Sequence, residues 1–197
     1  MTTRKREITK ADILPIADYT QRRAEMRKAV VALKKPRRIE VGPAATFYFE
    51  CFETMLQQVQ EMLYIEKGGD EQLADELRAY NPLIPQGREL VATVMFEIDE
   101  PIRRANFLAR LGGVEHSAFL KFAGETVKGV PEADQDRTNE AGKASSVQFI
   151  HFPMSDAQAA AFKQAGQQII VGFDHPAYAH MAVIGEESRL SLAKDLD

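Results

Sequence analysis

The stretch Gln168–Ile184, QIIVGFDHPAYAHMAVI, reads as two β-strands joined by a polar turn. β-Branched and apolar side chains fill Gln168 to Phe173 and Ala179 to Ile184, while Asp174-His175-Pro176-Ala177-Tyr178 carries the proline and polar groups that turns favour. Strand side chains alternate between faces, so the pairing register decides which polar groups meet. Two registers keep the apolar rows opposed. With Phe173 opposite Ala179, Val171 faces Met181 and Gly172 faces His180. With His175 opposite Ala179, Asp174 faces His180, and a carboxylate could orient an imidazole and raise its basicity. His151, Asp174, His175, Tyr178 and His180 are therefore the candidate ligand-binding residues, with Tyr178 as a hydrogen-bond donor. A metal would use His175 and His180, with His151 or Glu97 as a third ligand. The plainer reading is a structural turn in which Asp174 caps backbone and Pro176 fixes φ. No catalytic residue is assigned.

Outward from the hairpin, Leu90 to Ile98 is the clearest strand: Leu90, Ala92, Val94, Phe96 and Ile98 share one face. Asp99-Glu100-Pro101 starts a helix that Gly112-Gly113 stops, and Ser117 to Phe122 follows as a strand. Pro131 to Ser146 is polar and reads as an exposed, mobile loop. Val147 to Phe152 is again strand. Ser155 and Gln158 form a capping box for a helix ended by Gly166, and a short helix from Glu186 closes the chain. Upstream, a helix over Ile16 to Lys34 is halted by Pro36. A hairpin over Arg37–Val41 and Thr46–Phe49 and helices over 53–66 and 70–80 come next. This order predicts an α+β fold, an antiparallel or mixed sheet with helices mainly on one face. A single domain is expected, with residues 1–36 as a basic helical arm and 37–197 as the core.

Charge is divided unevenly. Twelve of the 25 basic residues but four of the 29 acids lie in positions 1–38, a balance of +8 against −12 for the remainder. Tyr19, Met26, Val30 and Leu33 recur at helical spacing, so the arm is expected to lay this stripe on the acidic body or on a second subunit. Arg22, Arg23, Arg27 and Lys28 are its candidate partner-docking residues. Nucleic acid ranks last among partners, because Tyr19 is the only ring in the arm and base stacking lacks a platform. The lone Cys51 in an apolar run reads as a small buried hydrophobe. The opening MTTRKREITK has no apolar stretch for a signal peptide, and no run nears the roughly 18 residues of a membrane span. A soluble, cytoplasmic protein is expected. No GxSxG, CxxC, HExxH or dinucleotide-binding glycine run is present, and no cofactor is expected. Glu61 beside Gln57, Gln58 and Gln60 reads as a solvated helix face, with a buried polar network or a substrate clamp as the alternatives. Glu50 is singled out beside Glu61 for the same caution, and His116 reads as an inert loop residue.

ITKADILPIADY, VALKKPRRIEVGP, QEMLYIE with ELRAYNPLIP, SSVQFIHF and GFDHPAYAH, in that order, resemble an uncharacterised bacterial family, a domain of unknown function. Members are often encoded beside rubrerythrin-like and iron–sulfur oxidoreductase proteins. The resemblance therefore implies an accessory role in redox or peroxide-stress metabolism, and it carries no active-site residues over. The expectation is a non-enzymatic accessory or binding protein, a homodimer with a redox protein as a further partner. A small histidine-based or metal-dependent enzyme is the alternative, and nucleic-acid binding through the arm a third.

Overall fold

Alternating apolar residues build two sheets in this chain. The computed structural model describes residues 4–133, 137–139 and 141–197. A short 3₁₀ turn leads into helix α1 (Ile16–Lys34), then strands β1 (Arg38–Val41) and β2 (Ala45–Phe49). Helices α2 (Phe52–Glu66) and α3 (Gly69–Tyr80), strand β3 (Glu89–Phe96) and helix α4 (Pro101–Leu108) follow. Strands β4 (Ala118–Phe122), β5 (Glu125–Lys128), β6 (Val130–Pro131) and β7 (Val147–Pro153) come next. The chain ends with α5 (Asp156–Lys163), β8 (Ile169–Phe173), β9 (Met181–Ile184) and α6 (Glu186–Leu192). The first sheet runs β1-β2-β3-β7-β6 and the second β5-β4-β8-β9, with every pair antiparallel.

The two sheets share one core. Phe47, Phe49, Val94, Phe96 and Phe152 of the first meet Leu120, Phe122, Val171 and Phe173 of the second, and the Phe47 and Phe173 rings lie 5.0 Å apart. Burying each such ring stabilises the fold by about 1.5–3 kcal/mol. On the other face of the first sheet, Val91 joins Ile8, Met55, Val59, Leu63, Leu73 and Ile84 beneath α2 and α3. The result is an α+β architecture of three layers: helices, five strands, four strands. No helix among the described residues is long and apolar enough to cross a membrane.

The hairpin forms at the expected place, in neither expected register. Ile169 pairs with Ile184, Val171 with Ala182 and Gly172 with Met181, one residue away from both. The inward row of β9 is Ala182 and Ile184, which leaves Met181 and Val183 63% and 59% exposed. The turn absorbs the odd residue, with Phe173 N–H donating to His180 O and Tyr178 N–H to His175 O. Asp174 and His180 are therefore not cross-strand partners.

Three further readings change. Gln57 and Gln60 are buried rather than solvated, because the segment before α1 and Tyr19 cover them: Leu14 N–H donates to Gln60 Oε1, and Tyr19 hydrogen-bonds both Gln57 and Glu61. β5 and β6 form in the stretch after Phe122 that carried no assignment, and β6 takes in Pro131, the first residue of the expected loop. The 131–146 segment is partly tied down, since Ala144 is buried and Thr138 donates to Glu115 at 2.8 Å; residues 134–136 and 140 lie outside the described residues.

The basic N-terminus is in part a clamp. Arg4 pairs with Asp195 at 2.8 Å, Arg6 with Asp197, and Arg23 with Glu61 at 2.8 Å. Arg37, only 2% exposed, pairs with Asp195 inside the protein. Burial pushes the Asp195 carboxyl up against the opposing pull of Arg37. Arg22, Arg27 and Lys28 remain exposed on α1, whose only fully buried residue is Tyr19.

Candidate ligand-binding cavity

The hairpin residues hold the fold's own backbone. Tyr178, 3% exposed, donates from its hydroxyl to Val41 O at 2.7 Å and accepts from the N–H groups of Ala44 and Ala45 at 3.0 and 2.9 Å. It therefore braces the β1–β2 turn, and burial pushes its phenol up. His180 lies against the Tyr178 ring, 4.6 Å between centroids, and covers Gly42. A Cβ on Gly42 would fall 2.5 Å from the imidazole Cγ, and its φ of +68° is already in the left-handed region that favours glycine. His175 Nε2 donates to Gly112 O at 3.2 Å, while its Nδ1 accepts from Ala177 N–H. Asp174 is exposed, and its N–H donates to Ser117 O. Among the described residues, no group of three or more His, Cys, Asp or Glu could hold a metal ion.

His151 is not brought to the hairpin histidines. It lies on β7, on the face of the first sheet turned away from the second. Its Nδ1 is 3.0 Å from Glu89 and its Nε2 2.8 Å from Glu132. Burial opposes the charged imidazolium, but the hydrogen bonds and charges of Glu89 and Glu132 outweigh it and raise the pKa. The trio links β3, β7 and the end of β6.

On that same face the strands and helices enclose a cavity of about 370 Å³. Strand alternation supplies its floor: Tyr48 and Glu50 from β2 and its end, Thr93 and Met95 from β3, Val147 and Phe149 from β7. Met55 and Gln58 of α2, Tyr80 of α3, Leu83 and Lys34 of α1 complete the walls. A wider groove of about 600 Å³ between α1, β1 and β9 has no buried polar side chain in its lining and a shallower form.

Glu50 distinguishes the cavity. It is 4% exposed, and its Oε2 and Oε1 accept from the hydroxyls of Thr54 and Thr93 at 2.6 and 2.7 Å. Its backbone is fixed from behind: Arg37 Nε donates to Phe49 O at 2.9 Å and Nη2 to Glu50 O at 2.8 Å. Arg37 thus gives its charge to Asp195 and its remaining donors to carbonyls, and no ion pair reaches the Glu50 carboxylate among the described residues. The adjoining Cys51 is buried as expected, with its thiol pushed up to about 11 by burial. That thiol is held in its unreactive form.

The walls are fixed as well. Tyr48 donates to Glu97 at 2.9 Å and Thr46 to the other Glu97 oxygen at 2.6 Å. The Thr46 bond is the largest of the effects that lower the Glu97 carboxyl. Arg38 lies over the Tyr48 ring at 5.6 Å and Arg137 over Phe149 at 4.4 Å. Sequence reasoning noticed Glu50 without seeing its role. Its signal is the alternation Thr46, Tyr48, Glu50, three polar groups on the outer face of a strand whose inner face is Ala45, Phe47, Phe49.

No curated protein matches the chain. A solved structure described as a novel protein of unknown function from Burkholderia pseudomallei K96243 is 37% identical, covers 96% of this chain and 99% of that one, and has a TM-score of 0.89. With a family model matching residues 7–196, the chain belongs to the family described as Protein of unknown function (DUF3501).

Proposed function

We propose that the protein is a non-enzymatic accessory that holds a small molecule in the cavity on the outer face of the first sheet. The observation that carries this reading is the Glu50 carboxylate, nearly fully buried, partnered among the described residues by hydroxyls alone and bordering about 370 Å³ of space. A buried ion without a counter-charge costs several kcal/mol, and a site that keeps one beside an open volume is suited to a ligand that supplies the missing interactions. The aromatic and thioether walls fit an apolar body. The accessory role proposed is in redox or peroxide-stress metabolism, as the resemblance implies. The lone thiol is held protonated, so electrons would pass through a bound molecule or a contacted partner.

The test uses the neutral fluorophore N-phenyl-1-naphthylamine. Its fluorescence should rise on mixing with the protein, and Met95→Trp, which fills the mouth of the cavity, should remove most of that rise while leaving the melting temperature within a few degrees. No enhancement with the native protein, or an unchanged one with Met95→Trp, would sink the reading.

A second reading is favoured by α1. Arg22, Arg27 and Lys28 stay exposed and without ion pairs among the described residues, as a helix docking on an acidic partner would require. Association with such a partner should weaken between about 50 and 500 mM salt, since exposed charge pairs are screened.

A further inference from the structure

We infer that the cavity takes a primary monoamine carried on a flat apolar body, with its ammonium group on Glu50. This rests on the cavity being the binding site and adds the chemistry of its occupant.

Three features argue for the ammonium. The two Thr hydroxyls satisfy one lone pair on each Glu50 oxygen and supply no charge, so each oxygen keeps capacity for a charged donor. The buried cation behind Glu50, Arg37, is bound to Asp195 and to the carbonyls of Phe49, Glu50 and Ser191, and is not free to turn. Tyr48, Tyr80 and Phe149 line the space, with guanidinium groups already over Tyr48 and Phe149, and a cation withdrawn from water is attracted to an aromatic ring such as Tyr80. An anionic ligand would instead bring a second negative charge to a buried carboxylate.

The rest of the lining limits the class. Met55, Leu83 and Val147 accept a hydrocarbon or aromatic body and offer no second acid. Lys34, half-buried, adds a positive charge to the same lining. A second ammonium group on the occupant would be repelled by it, which disfavours diamines. The occupant is therefore a monocation at the Glu50 end.

Tyramine, 4-ethylphenol, 4-hydroxyphenylacetate and 1,5-diaminopentane, titrated calorimetrically into the full chain, test this directly. Tyramine should bind at least about ten-fold more tightly than 4-ethylphenol, which has the same ring and no charge, and the other two should bind more weakly still. Glu50→Gln should bring tyramine and 4-ethylphenol to similar affinity. Should Glu50→Gln fail to fold, Tyr80→Leu serves instead, and it should weaken tyramine more than 4-ethylphenol. If N-phenyl-1-naphthylamine binds yet tyramine shows no advantage over 4-ethylphenol, or keeps its advantage in Glu50→Gln, the ligand class is wrong and the cavity reading survives. If neither molecule binds, both fall.

Discussion

The C-terminal turn and the outer-face cavity both place polar side chains on apolar strands, and they treat them differently. At the turn, Tyr178 makes three hydrogen bonds to the backbone of Val41, Ala44 and Ala45, and His175 and His180 lie against Gly112 and Gly42. Tyr178 above all is turned inward to hold a neighbouring loop, while Asp174 stays exposed. At the cavity, Glu50 is buried as deeply, yet its partners are two hydroxyls and its neighbour is open space. A cluster of histidines and an acid is more conspicuous in a sequence than one glutamate. What separates a strut from a binding group is remaining hydrogen-bonding capacity beside a volume that something could occupy.

Substitutions should divide along that line. The largest loss is expected for Arg37→Ala, which leaves the buried Asp195 with only the half-buried Arg4 as counter-charge and frees the carbonyls of Phe49 and Glu50. About 3–5 kcal/mol of unfolding free energy should disappear in a urea titration. A loss under about 1 kcal/mol would mean that Glu50 is held by something other than Arg37. Tyr178→Phe should cost about 1–3 kcal/mol, because three buried backbone groups lose their partner, while tyramine affinity stays as it was. The opposite result, stability unchanged and binding lost, would return the site to the hairpin and break the comparison.

Glu50→Gln should move the other way. Removing an unneutralised charge from the interior relieves its desolvation, so the unliganded variant should melt at the native temperature or somewhat above it, a gain of up to about 1 kcal/mol. A marked fall in its melting temperature would make Glu50 a strut like Tyr178.

How much of this the sequence carried depends on whether the cause was local. α1 ends where Pro36 follows, and α5 begins where Ser155 and Gln158 cap each other, because neighbours in the chain set those boundaries. The β8–β9 register was hidden because both rows of β9 are apolar, Met181 with Val183 and Ala182 with Ile184, so alternation could not say which faces the core. The buried Gln57 and Gln60 were hidden because their covers, Tyr19 and Leu14, lie 38 and 46 residues away. Glu50 was visible as an anomaly, but Thr93, which holds one of its oxygens, is 43 residues distant. Two sheets in place of one followed from which strands hydrogen-bond, and strand patterns do not encode partners.

The smallest expected effect lies beside the cavity, where His151 shares a face of β7 with Phe149. Glu89 and Glu132 raise its pKa in the folded protein above the roughly 6.5 of an exposed imidazole. Folding then takes up a proton across the interval between the two values. The stabilisation is fully present below about pH 6.5 and is lost as pH climbs through the raised folded value. The native protein should therefore lose melting temperature over that interval, and His151→Gln should lack that component while keeping whatever other groups contribute. Because Glu132 sits at the end of β6, the same titration should speed amide hydrogen exchange at Val130, on the sheet margin nearest Phe149, and leave exchange in the Ile169–Phe173 strand untouched. Exchange rising equally in both strands would mean that the whole sandwich loosens with pH, and that the cavity side is no more adjustable than the braced turn.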